Sequence, residues 1–160
     1  MATILRFLQV FALGTWTGGI LFLSFAVAPG AFALLPTREL AGTLVGMALT
    51  RLHFFGCVAG VIYIGASLVQ TRSVSALARP AVVLVILMLL LTVVSQHVVT
   101  PRIAGLRAQM SSTFGSVDAT PQDNLLRAQF SRLHGISTSL ELAVLLLGLV
   151  GLFLIVRSAF

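Results

Sequence analysis

Lysine is absent and acid is scarce: ten arginines stand against only Glu39, Asp118, Asp123 and Glu141, and charged residues make up 9% of a 160-residue chain. With 58% hydrophobic residues and a mean hydropathy of +1.09, so little charge excludes an ordinary soluble domain. The arginines cluster at the ends of apolar runs. That placement suits lipid phosphate, and it removes nucleic acid as the reason for the basic balance. A single cysteine, Cys57, excludes an internal disulfide. The sequence also lacks a phosphate-binding loop, a dinucleotide fingerprint, a Ser-His-Asp order and zinc-type cysteine spacing.

What is present is four long apolar runs, which predict an all-α membrane protein with four transmembrane helices at about 4–28, 52–69, 80–99 and 121–157. The first run, about 25 residues, would measure ~37 Å as a helix against a hydrocarbon core of about 30 Å. A secretory signal is its rival, with Arg6 before an apolar stretch and Ala31-Phe32-Ala33 as a cleavage-like triplet, but the run is too long for a signal core and contains Gln9, Trp16 and paired glycines. Ala28-Pro29-Gly30 is expected to end the first helix, since proline disfavours helical geometry in the residue before it. From Leu40 an interfacial helix precedes the second span. Thr100 to Ala119 reads as the longest connection and the place for mobility. Thr120 then suits an N-cap, with Pro121 in the first turn of the fourth helix.

Four spans put both termini on one side, with Arg6, Arg72, Arg79 and Arg157 on that side and Arg38, Arg51, Arg102, Arg107, Arg127 and Arg132 on the other. This division leaves the orientation open. Arg51, Arg102 and Arg132 are the arginines expected to contact lipid phosphate. The halves 1–70 and 80–160 share landmarks: Val27-Ala28-Pro29 matches Val99-Thr100-Pro101, and Arg51-Leu52-His53 matches Arg132-Leu133-His134. They predict a parallel two-helix repeat about an axis along the membrane normal.

That repeat would hold His53 and His134 at similar depth, with His97 nearby, as candidate haem or metal ligands; hydrogen-bonded caps are the plainer alternative. On the last helix His134, Ser137 or Thr138, and Glu141 follow three-to-four spacing and share a face that must look into the bundle. An unpartnered ionised Glu141 would cost at least about 2.5 kcal/mol at membrane depth, so it is expected to be protonated or paired. It is either a proton-relay or substrate-binding carboxyl, or a structural acid bonded to a neighbouring helix. Gln9 joins Glu141, Ser137 and Thr138 as a candidate intramembrane polar residue. Gly14 and Gly18, and Gly56 and Gly60, have the spacing that lets helices approach closely, and Trp16 is too deep for an interfacial belt and should pack inside.

Trp16-x-Gly18-Gly19 with Phe22 and Phe25, Ala28-Pro29 with Phe32, Arg51-Leu52-His53, Val99-Thr100-Pro101-Arg102 and Phe130-x-x-Leu133-His134-Gly135-x-Ser137 resemble the bacterial proteins of unknown function related to transmembrane protein 205. This resemblance implies a four-helix membrane protein of the bacterial inner membrane, without a defined reaction. The Trp-x-Gly-Gly pattern is more distantly similar to the CopD-type copper-resistance proteins and HemJ-type protoporphyrinogen oxidases. In those, a histidine about two turns before the tryptophan is associated with haem or metal, whereas Gln9 stands there in this chain. The expected function is a non-enzymatic accessory or homo-oligomerising subunit of a membrane complex. The alternatives are a haem b or copper binding protein built from His53, His97 and His134, and a proton-coupled transporter using Glu141.

Overall fold

The computed structural model describes residues 1–157. Four helical rods are each long and apolar enough to cross a membrane: α1 (Ala2–Leu34), α2 (Arg38–Thr71), α3 (Pro80–Phe114) and α4 (Leu125–Arg157). Among the described residues there is no strand, so the fold is all-helical and fits an integral membrane protein. Each helix packs on two neighbours, α1 on α2 and α4, and α3 on α2 and α4.

The first three rods run past the ends expected for bare spans. Pro29 does not end α1, and Pro101 does not end α3. Each helix instead takes a π turn just before the proline, Leu23–Val27 in α1 and Ser95–Val99 in α3. A proline at position 29 or 101 donates no N–H and drives its ring toward the carbonyl four residues back, Phe25 or His97. Those carbonyls lie inside the widened turns, where Ala28 N–H reaches Leu23 O and Thr100 N–H reaches Ser95 O. The expected mobile connection after Thr100 is therefore helix as far as Phe114, closed by Gly115 in the left-handed region at φ +84°. The interfacial segment before the second span is likewise part of continuous α2, capped by Thr37, whose hydroxyl accepts from Leu40 N–H at 3.2 Å.

The start of α4 also departs from expectation. Thr120 is buried and donates its hydroxyl to Ser116 O at 2.9 Å, while Asn124 accepts from Leu126 N–H at 2.9 Å. Arg127 donates to the carbonyls of Val117, Asp118 and Thr120, which holds this segment as a loop and moves the helix start to Leu125.

Rods of 33 to 35 residues are ~50 Å long, about 20 Å more than the hydrocarbon needs. The surplus lies at one end, because the opposite end stops at the polar segment Thr71 to Arg79 and at Arg157. In lipid, apolar burial alone does not drive helices together, so close approach over small residues carries the packing. A Cβ on Gly56 would overlap the Trp16 indole, one on Gly60 would lie 2.7 Å from Leu89, and one on Gly151 would lie 3.0 Å from Leu13. Leu13, Trp16, Ile20, Tyr63, Val85, Met88 and Val144 form the core that these glycines admit. Gly14 and Gly18 have nothing within 4 Å of a Cβ and bring no helices together within the chain.

Candidate functional site

Three helices meet at one buried polar centre. His53 of α2 is 2% exposed, and its Nδ1 is 2.8 Å from Gln96 Oε1, in the π turn of α3. Its Nε2 pairs with Glu141 Oε1 on α4. The two outer partners lie about 16 residues, ~24 Å, from the Arg79 and Arg157 ends of their helices. That depth is inside a hydrocarbon layer of about 30 Å, toward its far boundary.

The donor inventory fixes what the centre can hold. With Gln96 presenting an amide oxygen, Nδ1 must donate, so the Nε2 bridge to Glu141 contains the one proton in question. The pair is either imidazolium with carboxylate or imidazole with carboxylic acid, and both forms are neutral overall. Losing that proton sets a bare imidazole lone pair against a carboxylate, and gaining a second strands a positive charge in a low-dielectric layer. The geometry is that of an imidazole and a carboxyl that share one proton.

The other candidate residues separate from this centre. His134 is exposed and stacks on Phe130, with ring centroids 6.1 Å apart. It lies seven residues, ~10 Å, further out than Glu141, so the matched tripeptides do not bring His53 and His134 to one level. His97 is exposed although its neighbours Ser95 and Gln96 face inward. Both ring nitrogens of His53 are committed, and among the described residues no group of three or more His, Cys, Asp or Glu is placed to hold a metal ion. As arranged, the three histidines do not fit a shared haem or copper site. Cys57, one turn after His53, is half-buried.

Ser137 is buried one turn before Glu141, whereas Thr138 is exposed and donates its hydroxyl to His134 O at 3.0 Å. Gln9 belongs to a different cluster nearer the Arg79 end: its Nε2 donates to Ser67 Oγ at 2.8 Å, and Ser67 donates to Tyr63 O at 2.9 Å. Arg51, Arg102 and Arg132 are exposed. Gln96 is the member of the buried centre that the sequence reading passed over in favour of its neighbour His97; the polar triplet Ser95-Gln96-His97 in an apolar run was its only signal.

The family described as Domain of unknown function (DUF4149) matches the chain over residues 11–112. The chain belongs to this family. The DUF4149 match spans α1 from its third turn, all of α2 and nearly all of α3, so it includes His53 and Gln96 and leaves Glu141 outside. No curated protein and no solved structure matches the chain.

Proposed function

We propose that this DUF4149 chain is a proton-coupled membrane transporter in which His53 and Glu141 carry the proton and Gln96 orients the imidazole. The observation that carries this reading is a titratable pair buried at membrane depth and held from three helices. Gln96 sits in a π turn, an irregularity that recurs at functional sites in helices. Movement of α3 at that turn would change the hydrogen bond on Nδ1 and with it the proton affinity of Nε2. The test is proton flux in proteoliposomes carrying a pH-sensitive dye. Wild type should acidify or alkalise the lumen under an imposed gradient, and Glu141→Gln should reduce the rate to that of empty vesicles; equal rates in the two proteins would overturn the reading.

A second reading, the accessory or homo-oligomerising subunit, is favoured by the open face of α1. Gly14 and Gly18 there share three-to-four spacing with exposed Phe7, Phe11, Phe22 and Phe25. Recovery of monomer alone after crosslinking in native membranes would exclude it. The likeness to proteins related to transmembrane protein 205 supports the bacterial cytoplasmic membrane as the location, with both termini on one side of it. The shared π turn before Pro29 and Pro101 supports a parallel two-helix repeat. The likeness to the CopD and HemJ groups loses support, because Gln9 replaces their helix-one histidine and is bonded to Ser67.

A further inference from the structure

Several hydroxyls in the rods are satisfied by their own helix: Thr43, Thr50, Ser67 and Thr138 each donate to the carbonyl four residues back. Two buried ones are not. Thr17 Oγ1 on α1 and Ser95 Oγ in the π turn of α3 have no hydrogen-bond partner among the described residues, although both side chains are almost fully buried. In a layer where lipid supplies no partner an unbonded hydroxyl is costly, and a bound water is the usual remedy.

The two hydroxyls stand in one line. Met88, Thr92 and Ser95 are buried at three-to-four spacing and share a face of α3, beside Gln96. A Cβ on Gly148 of α4 would lie 2.5 Å from Thr17 Oγ1 and 3.2 Å from Met88 Cε, which sets the Thr17 hydroxyl at the level of Met88 and Gly148. From there toward the His53–Glu141 centre, Thr92 comes ~6 Å along the axis and Ser95 ~4.5 Å after it. One water bridges two hydroxyls about 5.5 Å apart, twice an O–H···O distance, so each axial step suits a single water.

Beyond Thr17 the interior turns apolar. Leu13, Val85 and Met88 are fully buried in the core, and past them Gln9, Tyr63 and Ser67 line a cavity of about 630 Å³ at the Arg79 end. Gln9, Leu13 and Thr17 follow four-residue spacing on α1, so the apolar layer is one residue deep on that helix. A layer this thin excludes water while closed and admits it when the helices part.

We infer that Thr17, Thr92 and Ser95 hold a chain of internal waters joining the His53–Glu141 pair to this cavity, with Leu13, Val85 and Met88 as its gate. The inference rests on the reading of the pair as a proton carrier. The bridging proton passes to the nearest water, each water hands one proton on, and one proton reaches the cavity. The pair, left as imidazole with carboxylate, regains a proton from the opposite side. The hydroxyls orient water and do not ionise, so they are positioning residues.

The test uses the full chain in proteoliposomes, with proton flux as one readout and difference infrared bands of bound water, identified by their shift in heavy-oxygen water, as the other. Thr17→Val should lose the water bands, keep or raise the thermal midpoint, and lower the flux about tenfold, as one lost hydrogen bond along the path would. Thr17→Ser should restore both, and Thr50→Val, at an exposed position bonded within its own helix, should change neither. Met88→Thr, which puts a hydroxyl into the apolar layer, should raise the flux about tenfold. Thr92→Val serves if Thr17→Val does not fold. If wild type passes no protons, the proton-carrier reading fails, and the water bands alone decide whether Thr17 holds water. Bands or flux in Thr17→Val equal to wild type, or no recovery in Thr17→Ser, would overturn the inference, and an unchanged rate in Met88→Thr would overturn the gate.

Discussion

The two ends of the bundle carry similar residues and use them in opposite ways. At the end beyond the surplus helix length, Arg38, Arg107 and Arg127 line a cavity of about 250 Å³ together with Glu39 and Asp118. There the charges are consumed internally: Arg127 ties the carbonyls of the α3–α4 loop, Glu39 accepts from Ser111 at 2.9 Å, and Arg107 donates to Thr43 at 3.3 Å while lying over the Phe130 ring. At the other end, Arg6, Arg79 and Arg157 line a larger cavity of about 630 Å³ beside the buried Gln9–Ser67 hydrogen bond. Arginine count therefore does not distinguish the two ends; the backbone carbonyls and hydroxyl that accept from Arg127 and Arg107 do. Between the two ends lies the His53–Glu141 pair, which is neutral as a unit and matches the only layer where charge is expensive.

The largest effect that could break this comparison is expected at the dividing level. His53→Ala should destabilise the protein by about 3 kcal/mol, because Glu141 and Gln96 lose their buried partner at once, whereas His134→Ala should stay within about 0.5 kcal/mol. Chemical denaturation in micelles measures both, and equal losses would mean that the pair is no more than another histidine contact. Next in size, Gly56→Ala should cost about 1 to 3 kcal/mol by displacing the Trp16 indole. Gly18→Ala, on open surface, should leave monomer stability near wild type in the same assay.

Smaller effects sharpen the contrast between the ends. Arg107→Ala should cost about 1 to 2 kcal/mol by removing the Thr43 bond and the stacking on Phe130, read as a lower thermal midpoint. Arg79→Gln, at an exposed position, should change the midpoint by no more than about 0.5 kcal/mol equivalent. A large loss for Arg79→Gln would make the two ends alike.

Much of this fold is legible in the sequence because membrane-length apolar runs leave few alternatives. The inward face of Glu141 is legible too, since an acid on a helix face with Ser137, Gly148 and Gly151 has nowhere else to go. The helix ends at Pro29 and Pro101 are not legible. A proline reads as a stop, and the π turn that accommodates it leaves no distinct residue signature. The same turn hides Gln96, because five residues in a widened turn break the spacing by which faces are counted, and His97 swings outward in its place. The three histidines could not be ranked by residue type; only the partner 88 positions away singles out His53. The basic cavity is illegible for a similar reason, since its arginines lie on separate elements and meet only when the bundle closes.

The proton shared by His53 and Glu141 is the centre of this account, and difference infrared spectroscopy during a pH step measures it most directly. The account predicts a carboxyl band in wild type that responds to pH, vanishes in Glu141→Gln, and moves to a different pH in His53→Gln, where the imidazole that faces the carboxyl is gone. An identical spectrum in Glu141→Gln, or a band in His53→Gln that titrates as in wild type, would contradict it.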